Sequence, residues 1–401
     1  MKIGIVATHV PPALGYGGVA VTAGILTRAW ASQGRNLQVV ASSESVGGRL
    51  RPEEVEMGKG TEVTLYPSYG FRRWGFGLGA IPALWRLCRE TDAVYIHGIA
   101  TWPCTLAGLF CAALGKRYVV ALHGGLMPEH VALIRRRKPH KWLYYQLLTF
   151  PTLRRAVAIH CTSDTESRGL CEVLGAKAPV LQVANGVECA GIEPAPPPAE
   201  AGLRLCFLGH IQAEKGINAF IRAWLPVRGP GDKLVVAGRG VDAGYFREFQ
   251  ELVAAAGGAV DYRGYVDKAA VNRLLADSHF LVLPSGLEET GGMRENFGNV
   301  VAEAMALGRP VLVARGLAWD RVESQATGFV FERRPSSVQQ VLARVRALPP
   351  GEWLEMSRRA RAYVERELDP VRLGEPVWRV LTAAEPFAAE RNTVEVCAHD
   401  R

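Results

Sequence analysis

The sequence predicts an α/β protein of two doubly wound domains, each built on a parallel sheet. Three observations carry this. Short apolar runs alternate with helix-period stretches in both halves of the chain. A segment with four prolines, I-E-P-A-P-P-P-A-E-A-G (192–202), separates the halves as a stiff, extended linker. Glycine-bearing loops follow several of the apolar runs, and ligands of such sheets sit at the carboxyl ends of the strands.

Bulk properties agree. The 401 residues suffice for two domains, and 48% hydrophobic against 21% charged composition gives each an ample core. The net charge of +8 is uneven: residues 1–190 hold 21 Lys/Arg against 12 Asp/Glu, and residues 191–401 hold 26 against 27. A basic first half points to an acidic partner such as phospholipid, a lipid-linked diphosphate or the phosphates of a substrate. No nucleic-acid motif appears, so nucleic acid is not expected. The eight cysteines are scattered without C-x-x-C, and Cys104, Cys111, Cys161 and Cys206 lie in apolar segments, as buried reduced thiols of a cytosolic protein would. Met1 to Val10 reads as a strand and not a signal peptide. The longest apolar run, Trp102 to Leu114, is too short to span a bilayer.

In the first half, Ile3 to Ala7 is a strand. The loop P-P-A-L-G-Y-G-G leads into a helix from about Val19 to Gln33, which Gly34 stops. Leu37 to Ala41, Val94 to Ile96, Tyr118 to Leu122 and Ala158 to Cys161 are further strands. Ser163 and Glu166 have capping-box spacing at a helix start. Gly15-x-Gly17-x-x-Ala20 matches the dinucleotide fingerprint in form. It begins several residues past the strand, however, and lacks the acidic residue about twenty positions on. A plain flexible loop therefore stands beside a phosphate-approaching one. His97 and His123 each follow a strand and precede glycine. A lone histidine is usually structural, whereas two H-G pairs on one sheet edge suggest a site. Arg135 to Tyr145, R-R-R-K-P-H-K-W-L-Y-Y, mixes cations and aromatics. That suits an anionic membrane surface through Arg135, Arg136, Arg137 and Lys138, and equally a solvated basic loop ahead of a core helix.

In the second half, Leu203 to Leu208 is a strand, followed by G-H-I-Q-A-E-K-G and a helix to about Leu225. Leu234 to Ala237 and Ala259 to Gly264 are strands. His279 to Leu283 is a buried strand leading to E-N-F-G-N-V-V-A-E-A-M-A-L-G-R-P (295–310). Phe297, Val300, Val301, Ala304 and Met305 recur at helical spacing, Gly308 and Pro310 stop the helix, and Val311 to Ala314 is the next strand. Glu295 is expected in the loop above a strand end and Glu303 about two turns into the helix. Between them the amides near Gly298 and Asn299 form a helix N-terminus, a ready anion site. Two carboxylates around a phosphate cradle suit a nucleotide-sugar: amides for phosphates, carboxylates for hydroxyls. Helices follow at about Ser337 to Leu348 and Trp353 to Leu368.

The 295–310 string resembles the E-x7-E segment of the retaining glycosyltransferases of the two-domain GT-B type, the "group 1", family 4-like family. The resemblance covers most of the chain, strongest at 203–332 and looser at 1–190. It implies two Rossmann-like doubly wound domains facing across a cleft. These are residues 1–190 on the acceptor side, a linker at 191–202, a nucleotide-sugar-binding domain at 203–368, a helix at 369–385 crossing back, and a tail at 386–401. It implies donor contacts by Gly17, Gly18, Lys215, Phe297, Gly298, Asn299 and Glu303, and catalytic placement of His123 and Glu295 at the sugar. Backbone groups of Arg263 to Val266 would lie beside the base. A-N-G-V-E (184–188) resembles the segment closing the first domain. W-D-R-V-E-S-Q-A-T-G-F-V-F resembles the helix and strand after the motif.

Two departures stand out. The family pattern G-R-x-x-x-x-K-G has His210 in place of its arginine, so a group that is mostly neutral near neutral pH replaces a permanent bidentate cation. Phosphate binding would then be weaker, pH-dependent, or shared with another cation such as Arg239 or Arg294. The segment from Ser285 to Arg294 is longer than in family members, and Glu288 or Glu289 competes with Glu295 for the first carboxylate's role. Glu295 is preferred because N-F-G follows it directly. The Gly286 to Arg294 loop would shape the sugar pocket.

The resulting expectation is a hexosyltransferase-type enzyme with no cofactor. It would take a UDP- or GDP-sugar, transfer to a glycan or lipid-linked acceptor with retention, and work in the cytoplasm or at the inner face of the membrane. No D-x-D occurs, so the usual metal clamp is missing and a metal-independent reaction is expected. A nucleotide-sugar epimerase of the same fold, a non-catalytic bilobal sugar-binding protein and an oxidoreductase remain as alternatives. Transfer to an acceptor excludes the first two. Binding of UDP or GDP without NAD(H) excludes the third.

Overall fold

A computed structural model describes residues 1–13, 17–45, 48–175, 178–189, 191–196, 198, 202–288 and 295–384. The chain divides into two compact units, Met1–Gly186 with the segment from Pro370, and Val187–Asp369.

The first unit holds a seven-stranded parallel sheet. Its strands are β1 (Lys2–Ala7), β2 (Asn36–Ser42), β3 (Glu62–Tyr66), β4 (Ala93–His97), β5 (Arg117–Ala121), β6 (Ala158–Cys161) and β7 (Val180–Gln182), in the order β3-β2-β1-β4-β5-β6-β7. The order reverses at β1, which pairs with β2 on one side and β4 on the other. Central strands covered on both faces are near-continuously apolar, and Ile3, Ile5, Val6, Leu37, Val39 and Val94 are all buried. The edge strands β3 and β7 have no counterpart in the sequence reading. Glu62–Tyr66 alternates exposed and half-buried residues, and Val180–Gln182 is three residues long.

Helices α1 (Gly18–Ser32), α2 (Ala80–Glu90), α3 (Trp102–Ala113), α4 (Pro128–Arg137), α5 (Pro139–Tyr144), α6 (Phe150–Arg155) and α7 (Asp164–Leu174) belong to this unit. Helix α1 starts at Gly18, with Gly17 as its cap. Arg135, Arg136 and Arg137 end helix α4, so the basic residues are helical and exposed where the alternative had a loop. The apolar run from Trp102 is α3, packed on α2 and the sheet.

The chain's last described helix, Pro370–Thr382, packs on α1 in this unit. Its fit turns on Trp30, fully buried on α1. The indole Nε1 donates to the Gly374 carbonyl at 3.0 Å, and a Cβ at Gly374 would sit 2.7 Å from that nitrogen. Arg35 pairs with Glu375 and lies 4.1 Å over the Trp378 ring.

The second unit holds a six-stranded parallel sheet. In chain order its strands are β8 (Arg204–Leu208), β9 (Lys233–Ala237), β10 (Val260–Tyr262), β11 (Phe280–Leu283), β12 (Val311–Ala314) and β13 (Gly328–Phe331), arranged β10-β9-β8-β11-β12-β13. Helices α8 (Ile217–Trp224), α9 (Ala243–Ala255), α10 (Lys268–Ala276), α11 (Asn299–Ala306), α12 (Pro335–Arg346) and α13 (Pro350–Glu367) surround it. The segment ahead of β13, residues 318–326, runs as turns and not as the helix the resemblance suggested. Arg309 and Arg361 tie the linker to this unit: Arg309 donates to the Pro196 carbonyl at 2.7 Å, and Arg361 to the Ile192 carbonyl at 2.8 Å.

Candidate functional site

The second unit places most of the expected donor residues beyond the carboxyl ends of β8 and β11. After β8 come exposed His210 and a short turn, Ala213–Lys215, and then Gly216, which caps α8 in the left-handed region at φ +67°. A Cβ there would meet the Pro284 carbonyl oxygen at 2.2 Å, so glycine lets this turn lie against the end of β11. That approach brings Lys215 to Glu295, and the two form an ion pair. Three residues on, Gly298 takes φ +74° and starts α11. A Cβ on it would press on Leu283 at 3.0 Å and on Glu295 at 3.3 Å.

No side chain caps α11 at Gly298. Its N-terminal dipole therefore favours an anion beside the Lys215 ammonium. Helix α8 differs. Its Ala219 amide donates to Glu288 at 2.9 Å and its Asn218 amide to the Tyr245 hydroxyl at 3.1 Å. Glu288 is thus engaged at α8, while Glu295 stays with Lys215. Glu289 and Arg294 lie outside the described residues.

Phe297 precedes α11 instead of lying within it. Its ring packs on Trp319 at 5.1 Å, and its carbonyl accepts from the Trp319 indole. Glu303 is a little over one turn into α11, not two, because the helix begins at Asn299. It pairs with Lys268 of α10 at 2.9 Å, a partner that sequence reading did not single out. Beside His210, the Ile211 amide donates to the Arg239 carbonyl at 2.8 Å, and the Arg239 guanidinium stacks 4.1 Å over Tyr265.

In the first unit the two histidines meet. His97 ends β4, and His123 follows β5 with φ +48°, a left-handed conformation that costs a non-glycine residue on the order of 1 kcal/mol. Glu166, on α7 and fully buried, holds this loop. Its carboxylate accepts from the Gly124 amide and, at 2.8 Å, from the Thr162 amide. The Ser163 hydroxyl caps α7 at the Glu166 amide, as the spacing implied. Nothing in the sequence pairs Glu166 with Gly124, which lies 42 residues away.

The hydrogen bonds fix the imidazole tautomers. The Val19 carbonyl only accepts, so His97 Nε2 carries the proton and donates to it at 2.9 Å. His97 Nδ1 then accepts from His123 Nε2–H at 3.2 Å, which leaves His123 Nδ1 as a lone pair. By the same argument His160 donates to Val183 at 2.8 Å and accepts from the Tyr95 hydroxyl at 2.8 Å. Burial pushes His97 down to about 3 and His160 to about 4. Burial, then His97 and His160, hold His123 well below its ordinary value. All three are neutral at neutral pH, so His123 offers hydrogen bonds and not charge.

His97 and His123 border a cavity of about 720 Å³ whose lining also includes Trp74, Tyr144 and Lys141. Among the described residues its lining includes Thr8 and Thr101 and holds no Asp, Glu, Asn or Gln. Trp74, Phe76, Trp102 and Tyr144 form a packed aromatic cluster beside it. Gly17 and Gly18 stand at the head of α1, and Gly15 lies outside the described residues. Among the described residues, no group of three or more His, Cys, Asp or Glu is placed to hold a metal ion. No described helix is long and apolar enough to cross a membrane. Cys104, Cys111, Cys161 and Cys206 are buried free thiols.

Comparison with known proteins adds the following. Residues 202–348 match the family model described as glycosyl transferases group 1, and residues 16–190 that of glycosyltransferase family 4. An uncharacterized glycosyltransferase of Methanocaldococcus jannaschii is 28% identical over 144 residues, 35% of this chain and 35% of the relative. A glycogen synthase of Leptothrix cholodnii is 28% identical over 163 residues, 39% of this chain and 33% of the relative. The chain thus spans about a third of the length of these curated relatives. Among solved structures, Anabaena HepE in complex with UDP aligns with a TM-score of 0.72 and 16% identity, over 95% of this chain and 99% of that one. The sucrose-phosphate synthase of Thermosynechococcus elongatus gives 0.70 and 17%, over 96% and 100%. At these identities the likeness shows the fold, GT-B.

Proposed function

The chain belongs to the group 1, family 4-like glycosyltransferases, and on that premise we propose that it moves a sugar from a nucleoside-diphosphate sugar to a glycan or lipid-linked acceptor. The observation that carries the reading is the Lys215–Glu295 pair beside the N-terminus of α11, which starts at the left-handed Gly298. Lys215 and the amides at Gly298 and Asn299 take the diphosphate, and His210 and Arg239 add to its charge. Glu303 takes ribose hydroxyls and Glu295 a sugar hydroxyl. Gly17 and Gly18 offer amides at the head of α1. The UDP complex of Anabaena HepE supports a uridine nucleotide as the first donor to try.

Transfer develops negative charge on the leaving diphosphate, and groups already aimed at it supply the stabilisation without a metal. In the first unit the cavity has no carboxylate among its described lining residues, and His123 is a weak base there. In this reading the acceptor's proton goes to the leaving phosphate on the face of departure, and the product keeps the donor's configuration. His123 Nδ1 accepts a hydrogen bond from a sugar hydroxyl.

Arg135, Arg136, Arg137 and Lys138 are exposed, as are Leu143 and Leu147 just beyond them. That mixture fits peripheral contact with an anionic membrane from the cytoplasmic side. Replacing the four cations with Gln should weaken binding to phosphatidylserine vesicles by up to about 1 kcal/mol per charge. Wild type that ignores such vesicles at low salt removes this part of the reading.

Thermal shifts with UDP-, GDP- and ADP-sugars test the function itself, since a ligand of the native state raises its apparent stability. One sugar nucleotide should shift the transition, and the product formed from it should keep the donor's anomeric configuration by NMR. No shift with any of them defeats the proposal. An inverted product defeats the retaining mechanism.

A further inference from the structure

The outer part of the first unit's cavity has chemistry of its own. Lys141 is half-buried and Arg73, exposed, belongs to the same lining, and neither meets a carboxylate among the described residues. Lys141 Nζ lies 5.7 Å from the Tyr145 ring centroid, a weak partner for a cation. Burial and the neighbouring Lys138 both pull the Lys141 ammonium down. A half-buried cation with a like charge beside it is a cost that a bound anion removes.

His130, on α4, lines the same cavity, and its Nδ1 is buried without a hydrogen-bond partner. Burial, Lys141 and Lys138 hold it down at about 4, so it stays neutral. A neutral imidazole with an unused nitrogen can donate to an anionic oxygen.

Aromatic rings line the same cavity and are held in place. Trp74 donates to the Ala100 carbonyl at 2.8 Å, and Tyr144 lies edge-on to it at 5.8 Å. Phe71 is 75% exposed beside them. A neutral oligosaccharide is held by planar carboxylates and amides that pair with its hydroxyls, and the described residues of this lining include none.

We propose that the part of this cavity lined by Arg73, Trp74, His130, Lys141 and Tyr144 binds an anionic group joined to an apolar body, carried by the acceptor. The inference rests on the glycosyltransferase reading and narrows its acceptor from any glycan to an anionic amphiphile. Two sources share that chemistry: a phosphate attached to a lipid chain, and an acidic sugar attached to one.

The test is calorimetric titration of the full chain with octyl phosphate, octyl glucuronide, octyl glucoside and inorganic phosphate, each below micelle formation. At least one octyl anion should bind about tenfold tighter than both octyl glucoside and inorganic phosphate, since a charge-assisted contact and apolar burial act together. Preference for octyl phosphate assigns a lipid phosphate, and preference for octyl glucuronide an acidic sugar. Lys141→Gln should erase the advantage over octyl glucoside; Arg73→Gln, at an exposed position, should reduce it and serves as the second variant. Equal binding of charged and neutral amphiphiles, or an advantage that survives both substitutions, overturns the inference. UDP titrated into the same samples separates the two claims. UDP binding without the anion preference defeats the acceptor assignment alone. The preference without UDP, GDP or ADP binding defeats the donor reading and leaves the pocket standing.

Discussion

Lys215 and Glu295, eighty residues apart in sequence, form an ion pair three residues ahead of the left-handed glycine that starts α11. Their side chains are 22% and 17% exposed, so the pair is screened less than a surface one. A diphosphate arriving at α11 competes with Glu295 for the ammonium. Glu295→Gln should therefore leave nucleoside diphosphate affinity unchanged or higher. Transfer should fall by about 10²-fold through loss of the sugar contact. Equal losses in binding and turnover would reassign Glu295 to the nucleotide.

Glu303 is held by Lys268 at 2.9 Å. A ribose hydroxyl bonding to this carboxylate makes a charge-assisted bond, so Glu303→Gln should cost nucleotide binding roughly 1–2 kcal/mol. Lys268→Ala removes the competitor for the carboxylate and should not weaken binding. Calorimetry showing donor affinity untouched in Glu303→Gln removes the ribose role.

The buried histidines make the first unit acid-sensitive. His97 and His160 are 2% and 4% exposed and sit at about 3 and about 4, against an ordinary 6.5. The unfolded chain binds protons at these sites where the folded chain does not. Their contribution is thus fully present above about pH 6.5 and is lost as pH falls toward the folded values. Each removes up to about 1.4 kcal/mol per pH unit in that window. His9 and His130, both at about 4, act in the same direction. Urea unfolding of this unit should show a midpoint that drops from about pH 7 to about pH 5, less steeply in His160→Phe. A midpoint independent of pH across that range contradicts the burial of neutral imidazoles.

Much of this architecture is legible in local pattern, and the pairings are not. Near-continuous apolar runs such as Ile3 to Ala7 and His279 to Leu283 announce central strands, because burial on both faces favours apolar residues at successive positions. Glu62–Tyr66 escapes that signal because an edge strand is half solvated, and Val180–Gln182 because it is short. Gly298 and Glu295 are readable as a loop-to-helix turn. Lys215 against Glu295, Lys268 against Glu303 and Glu166 against Gly124 join separate stretches of chain, and only the fold brings them together. Glu303 lies about one turn into α11 and not the expected two, because Phe297 fits the apolar spacing of α11 while lying outside it.

His210 stands, exposed, where the family pattern has arginine. A diphosphate beside it favours the imidazolium. Nucleoside diphosphate binding should then take up a proton between about pH 6 and 8.5, a range that brackets histidine's ordinary titration. His210→Arg should abolish that uptake. Calorimetry in buffers of different ionisation enthalpy reads it directly. Equal uptake by wild type and His210→Arg leaves the charge to Lys215, Arg239 and the helix amides.

The central claim is a nucleoside-diphosphate site built from Lys215 and the head of α11. Titration of the full chain with UDP, GDP and ADP in the presence of a chelator tests it most directly. One of the three should bind without a divalent cation, and Lys215→Ala should weaken it by about 2 kcal/mol, the value of a charge-assisted contact. Absence of binding by all three, or binding that Lys215→Ala leaves intact, contradicts the account.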